Sequence, residues 1–395
     1  MKANPGGQLA ASEIIGRDEL IARVWQILET KSIYINDLRR IGKTQLFEKM
    51  IANPCAGWIA VKQDLEGCHS ADEFAAQVYR HASQALRGKE TLKRGLDSML
   101  AMFKGVEIGG VLRLPESNDA VHWKMVLQKS FDAIQASIAG SDIKVVFLWD
   151  EVPFMLDNIA KRQGNDVAMQ IFDMLRALSQ SYANIRMILT GSIGLHHVLE
   201  QLHLDGYHGS PLNHLRRVRV GPLTPEFGAE LAKLLLVGIG WPKENIESCA
   251  KHLCSAVGNV PHYIHLIAHH LYDTDTYDEA TIARTVRNVL LNHSDELDLP
   301  HYQNRLRKYY KPADLAFIVL DAIAVAGTLA FEEIFDQICM RQAFDENDKE
   351  LLRSLLKRLS DDHYLERDEE SSDYRFYLPL IRRWWCMSRN LAEPT

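Results

Sequence analysis

Gly42, Lys43 and Thr44 are the residues of this sequence whose types and order most directly indicate chemistry. They follow a short apolar segment, 33–36, and begin an apolar stretch with helical spacing. Backbone N–H groups at a helix N-terminus attract anions, and a lysine ammonium beside them bridges the β- and γ-phosphates of a nucleoside triphosphate. The hydroxyl of Thr44 can then coordinate Mg²⁺, so the pattern predicts a phosphate loop for ATP and Mg²⁺. The predicted nucleotide contacts here are Arg39, Arg40, Ile41, Gly42, Lys43, Thr44 and Gln45.

One position departs from the usual phosphate-loop pattern, in which a glycine stands five residues before the glycine of Gly-Lys-Thr. Asp37 occupies that position. A carboxylate near phosphates lowers the affinity for them unless it points away or is paired, and Arg39 and Arg40 are candidate partners. The departure at Asp37 therefore bears on the affinity for nucleotide and on the rate of turnover more than on the fold.

A second group of candidate residues follows the apolar segment 145–149, which is typical of a parallel strand buried on both faces. Asp150 and Glu151 come directly after it. Ligands of open α/β sheets bind at the carboxyl ends of such strands. Asp150 is predicted to hold Mg²⁺ there, and Glu151 is predicted to polarise the attacking water, while Lys43 binds the phosphates.

Two further segments supply candidate catalytic side chains. The segment 185–189, apolar apart from Arg186, is another predicted buried strand, and it leads into Thr190 and Ser192. A hydroxyl there is predicted to lie between the first two motifs and to contact the γ-phosphate or the water; the alternative is a strand-to-turn cap. Arg216 and Arg217 are candidates for an arginine that reaches the γ-phosphate in cis or across a subunit interface. The alternative for these two arginines is a solvated basic edge of the sheet.

The order of predicted elements gives the domain organisation. Alternating apolar strands and helical segments predict an α/β fold over residues 1–222, with a parallel sheet and helices on both faces. Residues 89–116 break this pattern and are predicted to be an insertion. Residues 223–295 are predicted to form an all-α lid domain, 296–312 a linker, and 313–395 a winged-helix-like domain of three helices and a hairpin.

The composition is that of a globular protein: 395 residues, of which 47% are hydrophobic and 25% charged. This length predicts two or three domains. The net charge of −7 argues against a protein coated for nonspecific nucleic-acid binding. We expect a cytoplasmic location, because the six cysteines lack the spacing of a disulfide framework and no apolar run has the length of a membrane span. The first residues also lack the apolar core of a signal peptide.

Histidines and acidic residues mark the second half of the chain. His262, His265 and His269 share one helical face, which raises a zinc site as an alternative, although no acidic or cysteine ligand is interleaved. Residues 345–375 carry eleven acids and six bases. A helix that enters the DNA major groove brings positive charge to the phosphates, so this segment is predicted to dock on protein. The basic residues left as DNA candidates are Arg305, Arg307, Lys308, Lys311, Arg382 and Arg383; the alternative is that they are solvated or interdomain charges.

Together these motifs resemble the archaeal-type ATPase family, a branch of the STAND P-loop NTPases that is related to AAA+ and Orc/Cdc6 proteins. The resemblance is carried by residues 39–44, 149–154 and 189–192, and by the turn 258–261. It covers about residues 14–290, and beyond them it extends to element order only. It implies binding of ATP with Mg²⁺, slow hydrolysis, and nucleotide-dependent rearrangement of the lid and the winged helix.

The same resemblance implies an adenine site. In such ATPases, a turn similar to Gly258-Asn259-Val260-Pro261 places the helical lid against the adenine, which assigns Pro261 to nucleotide binding. Gly16 and Arg17 belong to a lead-in that commonly lies over the base. The alternative for Gly16 and Arg17 is a plain capping turn before a surface helix.

Three functions remain in competition at the level of the sequence. The leading hypothesis is an ATP-hydrolysing molecular switch that couples its nucleotide state to a protein or DNA partner. The second is a non-hydrolysing nucleotide-binding scaffold that regulates a partner enzyme, and the third is a DNA-acting ATPase of a mobile-element or defence system. Glu151 favours the first and Asp37 the second, whereas the winged-helix order favours the third. We expect an unidentified protein partner or self-association, with DNA less supported and no membrane partner.

Overall fold

The computed structural model of the protein describes residues 1–85, 121–191, 195, 197–199, 213–292 and 295–392. The insertion predicted at 89–116 and the candidate residue Ser192 lie outside the described residues, so both stay predictions. The chain divides into two compact units. The sheet unit comprises Arg17–Asp37 and Lys43–Val220, and the helical unit comprises Met1–Gly16, Leu38–Gly42 and Gly221–Thr395.

The sheet unit contains a parallel sheet whose five described strands run in the order β2-β3-β4-β1-β5. The strands are β1 (Ile33–Asn36), β2 (Trp58–Asp64), β3 (Lys144–Asp150), β4 (Ile185–Gly191) and β5 (Arg216–Val218). The helices are α1 (Asp18–Leu28), α2 (Lys43–Ala52), α3 (Ala71–Ala85), α4 (Val121–Ile138), α5 (Val152–Gln163) and α6 (Asn165–Ser181). The predicted α/β class with a parallel sheet is confirmed.

The two inner strands β3 and β4 explain why the sequence shows continuous apolar runs instead of alternation. Six of the seven positions of β3 and all seven of β4 are buried, as expected for strands covered on both faces. β4 pairs with β1 on one side and with β3 on the other. The carboxyl ends of these three parallel strands therefore meet at one edge of the sheet.

Aromatic packing fixes α3 against the strand that ends in Asp150. The rings of Phe147 and Trp149 stack with centroids 5.3 Å apart, and Phe74 of α3 meets Trp149 edge-on at 5.5 Å. The Trp149 Nε1–H donates to Nδ1 of His81 at 3.2 Å, so the buried indole donor is satisfied. His81 is fully buried, and burial, with a smaller contribution from Arg80, lowers the pKa of its imidazole to about 4.

This depressed pKa predicts a loss of stability in mild acid. Between about pH 6.5 and pH 4 the unfolded His81 binds a proton and the folded one does not, so the free energy of unfolding falls as the pH decreases through this window. The contribution of His81 is about 2 kcal/mol between pH 7 and pH 5. Urea unfolding of wild type and of His81→Gln at both pH values should show a smaller pH dependence in the variant. An equal dependence in both proteins would contradict the assignment.

The helical unit begins with helices and ends with a mixed module. The helices are α7 (Pro225–Gly238), α8 (Ile246–Ala256), α9 (Pro261–His270), α10 (Glu279–Leu291) and α11 (Pro300–Tyr309). The C-terminal module then contains α12 (Ala313–Ala326), β6 (Thr328–Leu329), α13 (Phe331–Cys339), α14 (Lys349–Asp361), β7 (Leu365–Arg367), β8 (Tyr374–Phe376) and α15 (Pro379–Ser388). Its strands form an antiparallel sheet in the order β6-β8-β7. Three helices and a hairpin occur in the predicted order, and their interpretation as a winged helix stays a prediction.

Helix α11 occupies most of the segment 296–312, where the sequence predicts a linker. Its Arg305 is buried, and the guanidinium donates to the carboxylate of Asp362 at 3.1 Å. The same carboxylate accepts from the hydroxyl of Tyr310 at 2.5 Å. A buried charge is tolerated only when it is paired, and the ion pair with Asp362 meets this condition. Arg305 is therefore a structural residue of the core, contrary to its prediction as a DNA candidate.

No helix in the described part of the chain combines the length and the apolar composition that crossing a membrane requires.

Candidate nucleotide site

Lys43 and Thr44 lie in the first turn of α2, directly after Gly42. Gly42 has a φ of 101°, a left-handed backbone conformation that favours glycine. The Lys43 ammonium is buried and donates to the backbone carbonyl of Asp37 at 2.8 Å. The lysine is therefore folded back along the start of the loop, with its charge held close to the helix N-terminus. Gln45, the last of the predicted loop contacts, lies in the same turn.

Asp150 is the centre of a hydrogen-bonded group at the carboxyl edge of the sheet. One of its carboxylate oxygens accepts from the hydroxyl of Thr44 at 2.8 Å. The other accepts from the hydroxyl of Thr190 and from the backbone N–H of Glu151, the latter at 3.1 Å. Thr190 is fully buried at the end of β4, so the structure brings together the three elements that the sequence assigned to one site.

The donor set of this group fits Mg²⁺. Mg²⁺ takes oxygen ligands and usually keeps several waters, with one or two protein ligands and phosphate oxygens completing its shell. A hydroxyl and a carboxylate already at hydrogen-bond distance, those of Thr44 and Asp150, supply such ligands. In the residues that the structure describes, no cluster of three or more His, Cys, Asp or Glu side chains is placed to hold a metal by itself.

Glu151 follows β3 in an unusual backbone conformation. Its φ and ψ of 56° and 35° are left-handed, and it caps the N-terminus of α5. A non-glycine residue in this region costs about 1–3 kcal/mol and persists only where the surroundings hold it, which is common at active sites. The backbone N–H of Glu151 donates to the carboxylate of Asp150 at 3.1 Å. The catalytic role of Glu151 stays a prediction.

The structure answers the question that Asp37 raised. Asp37 is 1% exposed, and one of its carboxylate oxygens accepts the backbone N–H of Val220 at 2.9 Å. The carbonyl of the same Val220 accepts from the guanidinium of Arg17 at 2.9 Å. The carboxylate is therefore turned toward the segment that follows β5. This hydrogen bond occupies one of the two oxygens that would otherwise repel bound phosphates.

Replacing Asp37 with alanine should therefore destabilise the protein. The buried N–H of Val220 would lose its acceptor, which typically costs about 1–3 kcal/mol. The matched variant Asp37→Asn keeps a side-chain oxygen at this position and should lose less. Urea unfolding of both variants measures the difference, and an Asp37→Ala protein as stable as wild type would show that the hydrogen bond is unimportant.

Gly16 and Arg17, predicted to lie beside the adenine, both have structural contacts. Gly16 has a φ of 69°, and a Cβ added there would lie 2.6 Å from the ring of Phe227 on α7, so only glycine fits. The guanidinium of Arg17 is buried on the carbonyl of Val220. Pro261 is buried at the first position of α9. Their role at the adenine stays a prediction.

Arg39, Arg40 and Ile41 belong to the helical unit together with Leu38 and Gly42. Arg39 forms an ion pair with Asp298 at 3.1 Å. Arg40 donates to the backbone carbonyl of Glu296 and contacts Nε2 of His262. The sequence analysis did not predict these partners. The cluster of acids at 295, 296 and 298 was the available signal, because acidic side chains commonly pair with arginines.

Arg216 and Arg217 lie away from the carboxyl edge of the sheet. Both are exposed on β5 and pair in register with Ile33 and Tyr34, the first residues of β1. Arg216 lies three strand residues from the end of β1 and Arg217 two, or about 10 Å and about 7 Å. Both roles of these arginines, in cis and across a subunit interface, stay predictions.

Two of the three histidines considered for zinc, His262 and His265, have other partners. Nδ1 of His265 accepts the backbone N–H of Asn4 at 3.3 Å, and His270 contacts the carboxylate of Glu296 at 2.7 Å. Burial lowers the pKa of His262 and of His265 to about 4. Two histidines of this face therefore have contacts that do not involve a metal ion.

Comparisons with known proteins support the fold. No family model matches the chain, and no curated protein matches it. Among solved structures, the Walker-type ATPase of Pyrococcus abyssi is similar over 98% of this chain and 99% of its own, with a TM-score of 0.66 and 15% identity. At this identity the likeness shows a shared fold and leaves the activity to be argued from the site.

Two other solved structures are similar at lower scores. The ORC2 protein of Aeropyrum pernix covers 95% of this chain and 94% of its own, with a TM-score of 0.45 and 9% identity. The RuvB Holliday junction branch migration motor of Thermotoga maritima covers 96% of each chain, with a TM-score of 0.39 and 9% identity. Both scores are below 0.5, so we base no conclusion on them.

Proposed function

We propose that this protein is an ATP-binding and ATP-hydrolysing switch of the STAND/AAA+-related type. The observation that carries the proposal is the hydrogen-bonded group of Thr44, Asp150 and Thr190 at the carboxyl edge of the sheet. Lys43 lies one residue before Thr44, and Glu151 one residue after Asp150. A phosphate-binding lysine, a pair of Mg²⁺ ligands and a carboxylate for water activation are the parts that hydrolysis of a phosphoanhydride needs.

Each side chain has a separate task in this proposal. Lys43 binds the β- and γ-phosphates, with the backbone N–H groups of the loop and of the first turn of α2 beside it. Thr44 and Asp150 would hold Mg²⁺, which would neutralise charge on the phosphates. The fixed hydroxyl of Thr190 orients the Asp150 carboxylate. Glu151 polarises the water that attacks the γ-phosphorus and takes its proton; the bond from the γ-phosphorus to the bridging oxygen breaks, so that ADP and inorganic phosphate are the products.

Turnover without a partner is expected to be slow. Arg216 and Arg217 lie beside the first residues of β1, and a cation supplied by another molecule or subunit would accelerate the reaction by stabilising the transition state. The alternative function, a non-hydrolysing scaffold, drew its support from Asp37. That support is weaker now, since one oxygen of the Asp37 carboxylate is occupied by the N–H of Val220.

The output is proposed to be a protein partner or self-association. The C-terminal module, interpreted as a winged helix, carries the acidic segment 345–375, which is unsuited to DNA phosphates. Several of its bases are already paired, Arg375 with Glu366 at 2.6 Å among them. All six cysteines are free, which is consistent with the cytoplasmic location we propose.

ATP turnover by the purified protein tests the proposal. Phosphate release should be measured across a range of protein concentrations, with and without duplex DNA. We expect Mg²⁺-dependent hydrolysis. Its rate per protein molecule should rise with protein concentration if self-association supplies a cation to the site. Stimulation by DNA would favour the DNA-acting ATPase, and ATP binding without hydrolysis under every condition would favour the scaffold.

A further inference from the structure

Residues 295–299 form a turn in the helical unit, here called the clasp turn, whose backbone is held in a strained conformation. Asp295 and Asp298 both have left-handed φ values, 50° and 56°. The turn is closed by two hydrogen bonds, from Asp298 N to the carbonyl of Asp295 at 2.9 Å and from Leu299 N to the Asp295 carboxylate at 3.1 Å. Two such residues in one turn indicate that the surroundings fix its shape.

The clasp turn holds both arginines of the phosphate loop. The backbone carbonyl of Glu296 accepts from the guanidinium of Arg40, and the carboxylate of Asp298 pairs with Arg39. Arg40 itself has a left-handed φ of 64°, so the loop side of the contact is constrained as well. Two constrained backbones are therefore joined through two adjacent arginine side chains.

Both ends of helix α9 contact residues of this interaction, Arg40 at one end and Glu296 at the other. His262, in the first turn of α9, contacts Arg40 through Nε2, and His270, its last residue, contacts the carboxylate of Glu296. Burial, with a smaller contribution from Arg40, lowers the pKa of His262 to about 4. His262 is therefore neutral at pH 7, and its Nε2 can accept the Arg40 N–H.

The clasp turn leads directly into α11, which is anchored in the C-terminal module. Arg305, in the middle of α11, is buried in its ion pair with Asp362, the residue that follows α14. The carbonyl of Tyr302 accepts from the hydroxyl of Tyr364, immediately before β7, at 2.7 Å. A helix of this length spans about 15 Å. One short rigid element therefore connects the loop contact to the junction between α14 and β7.

We propose that the clasp turn positions the phosphate loop and passes its nucleotide-dependent state through α11 to the C-terminal module. This inference rests on the proposed function, since it requires nucleotide to bind at the loop. Phosphates that engage the loop backbone would shift Arg39 and Arg40, and the strained turn would shift with them. The buried Arg305–Asp362 pair would then carry the displacement into the C-terminal module, because packed cores move between discrete arrangements.

A double-mutant cycle tests the positioning role. Arg39→Gln, Asp298→Asn and the double variant are compared with wild type for affinity toward a fluorescent ATP analogue. Each single change should weaken binding about three- to ten-fold. The double variant should bind as tightly as the single variant of lower affinity, because both changes remove the same contact. The control is Glu247→Gln, which breaks the surface pair of Lys233 and Glu247 in the same unit and should leave affinity unchanged. Additive losses, or single variants with wild-type affinity, would overturn the proposal.

Hydrogen exchange on the full-length chain tests the transmission. With saturating ATP analogue, wild type and Glu247→Gln should change exchange rates in α11 and in residues 362–365, and Asp298→Asn should not. Should Asp298→Asn fail to fold, Arg39→Gln, with 39% of the arginine side chain exposed, carries the same test. If wild type binds the analogue and its exchange rates in α11 and residues 362–365 stay the same, the transmission to the C-terminal module is overturned but the positioning role is not. The same conclusion follows if Asp298→Asn shows the change in exchange rates. A wild-type protein that binds no analogue overturns the proposed function, and the inference falls with it.

Discussion

Lys43→Ala is expected to abolish ATP binding at concentrations where wild type is saturated. The ammonium is the main protein cation assigned to the β- and γ-phosphates, and a hydrogen bond to a charged group contributes about 1.5–3 kcal/mol. Losing the contacts to two phosphates corresponds to an affinity loss of about 100-fold or more. Binding of a fluorescent ATP analogue, or calorimetric titration with ATP and Mg²⁺, measures it.

A matched control exists on the same helix. Lys49→Ala removes a lysine of α2 whose ammonium pairs with Asp18 at 2.8 Å, and this carboxylate is 75% exposed. This variant should bind ATP like wild type, because surface ion pairs contribute little. Thermal unfolding of both variants separates a loss of binding from a loss of folding, since Lys43 also donates to the Asp37 carbonyl. ATP binding by Lys43→Ala with wild-type affinity would remove the assignment of the phosphate loop.

The central site was predictable from the sequence because its parts are local patterns. Two patterns each indicate a chemical role within a few residues. One is a strand followed by Gly42-Lys43-Thr44, and the other is a buried strand that ends in Asp150 and Glu151. The rule that parallel strands present their carboxyl ends at one edge then brings them together. The sequence also predicts Thr190 between the two motifs, and the structure has β4 between β1 and β3.

The contacts of the loop arginines were not predictable in the same way. Arg40 meets His262 and Glu296 across separations of 222 and 256 residues, and no local pattern encodes such pairs. The direction of Asp37 depended likewise on Val220, 183 residues away. Arg305 was misjudged because a basic cluster is usually solvated, whereas here a distant aspartate, Asp362, pairs with it in the core.

Glu151→Gln separates binding from catalysis at the same site. Glutamine keeps the length and shape of the side chain and the backbone N–H that donates to Asp150, but it cannot take a proton from water. ATP affinity should therefore remain close to that of wild type. The hydrolysis rate should fall about 10²- to 10⁴-fold, the usual contribution of a general base.

Single-turnover hydrolysis with enzyme in excess over ATP measures the chemical step of this variant directly, without interference from product release. The control is Glu66→Gln, a change to an exposed acid that follows β2, the neighbour of β3 in the sheet, and it should hydrolyse ATP at the wild-type rate. Slow hydrolysis with intact binding in Glu151→Gln alone would identify Glu151 as the residue that activates water. Wild-type turnover by Glu151→Gln would move the general base elsewhere and leave the carboxylate of Asp150 as the only part of this strand end with a role in the reaction.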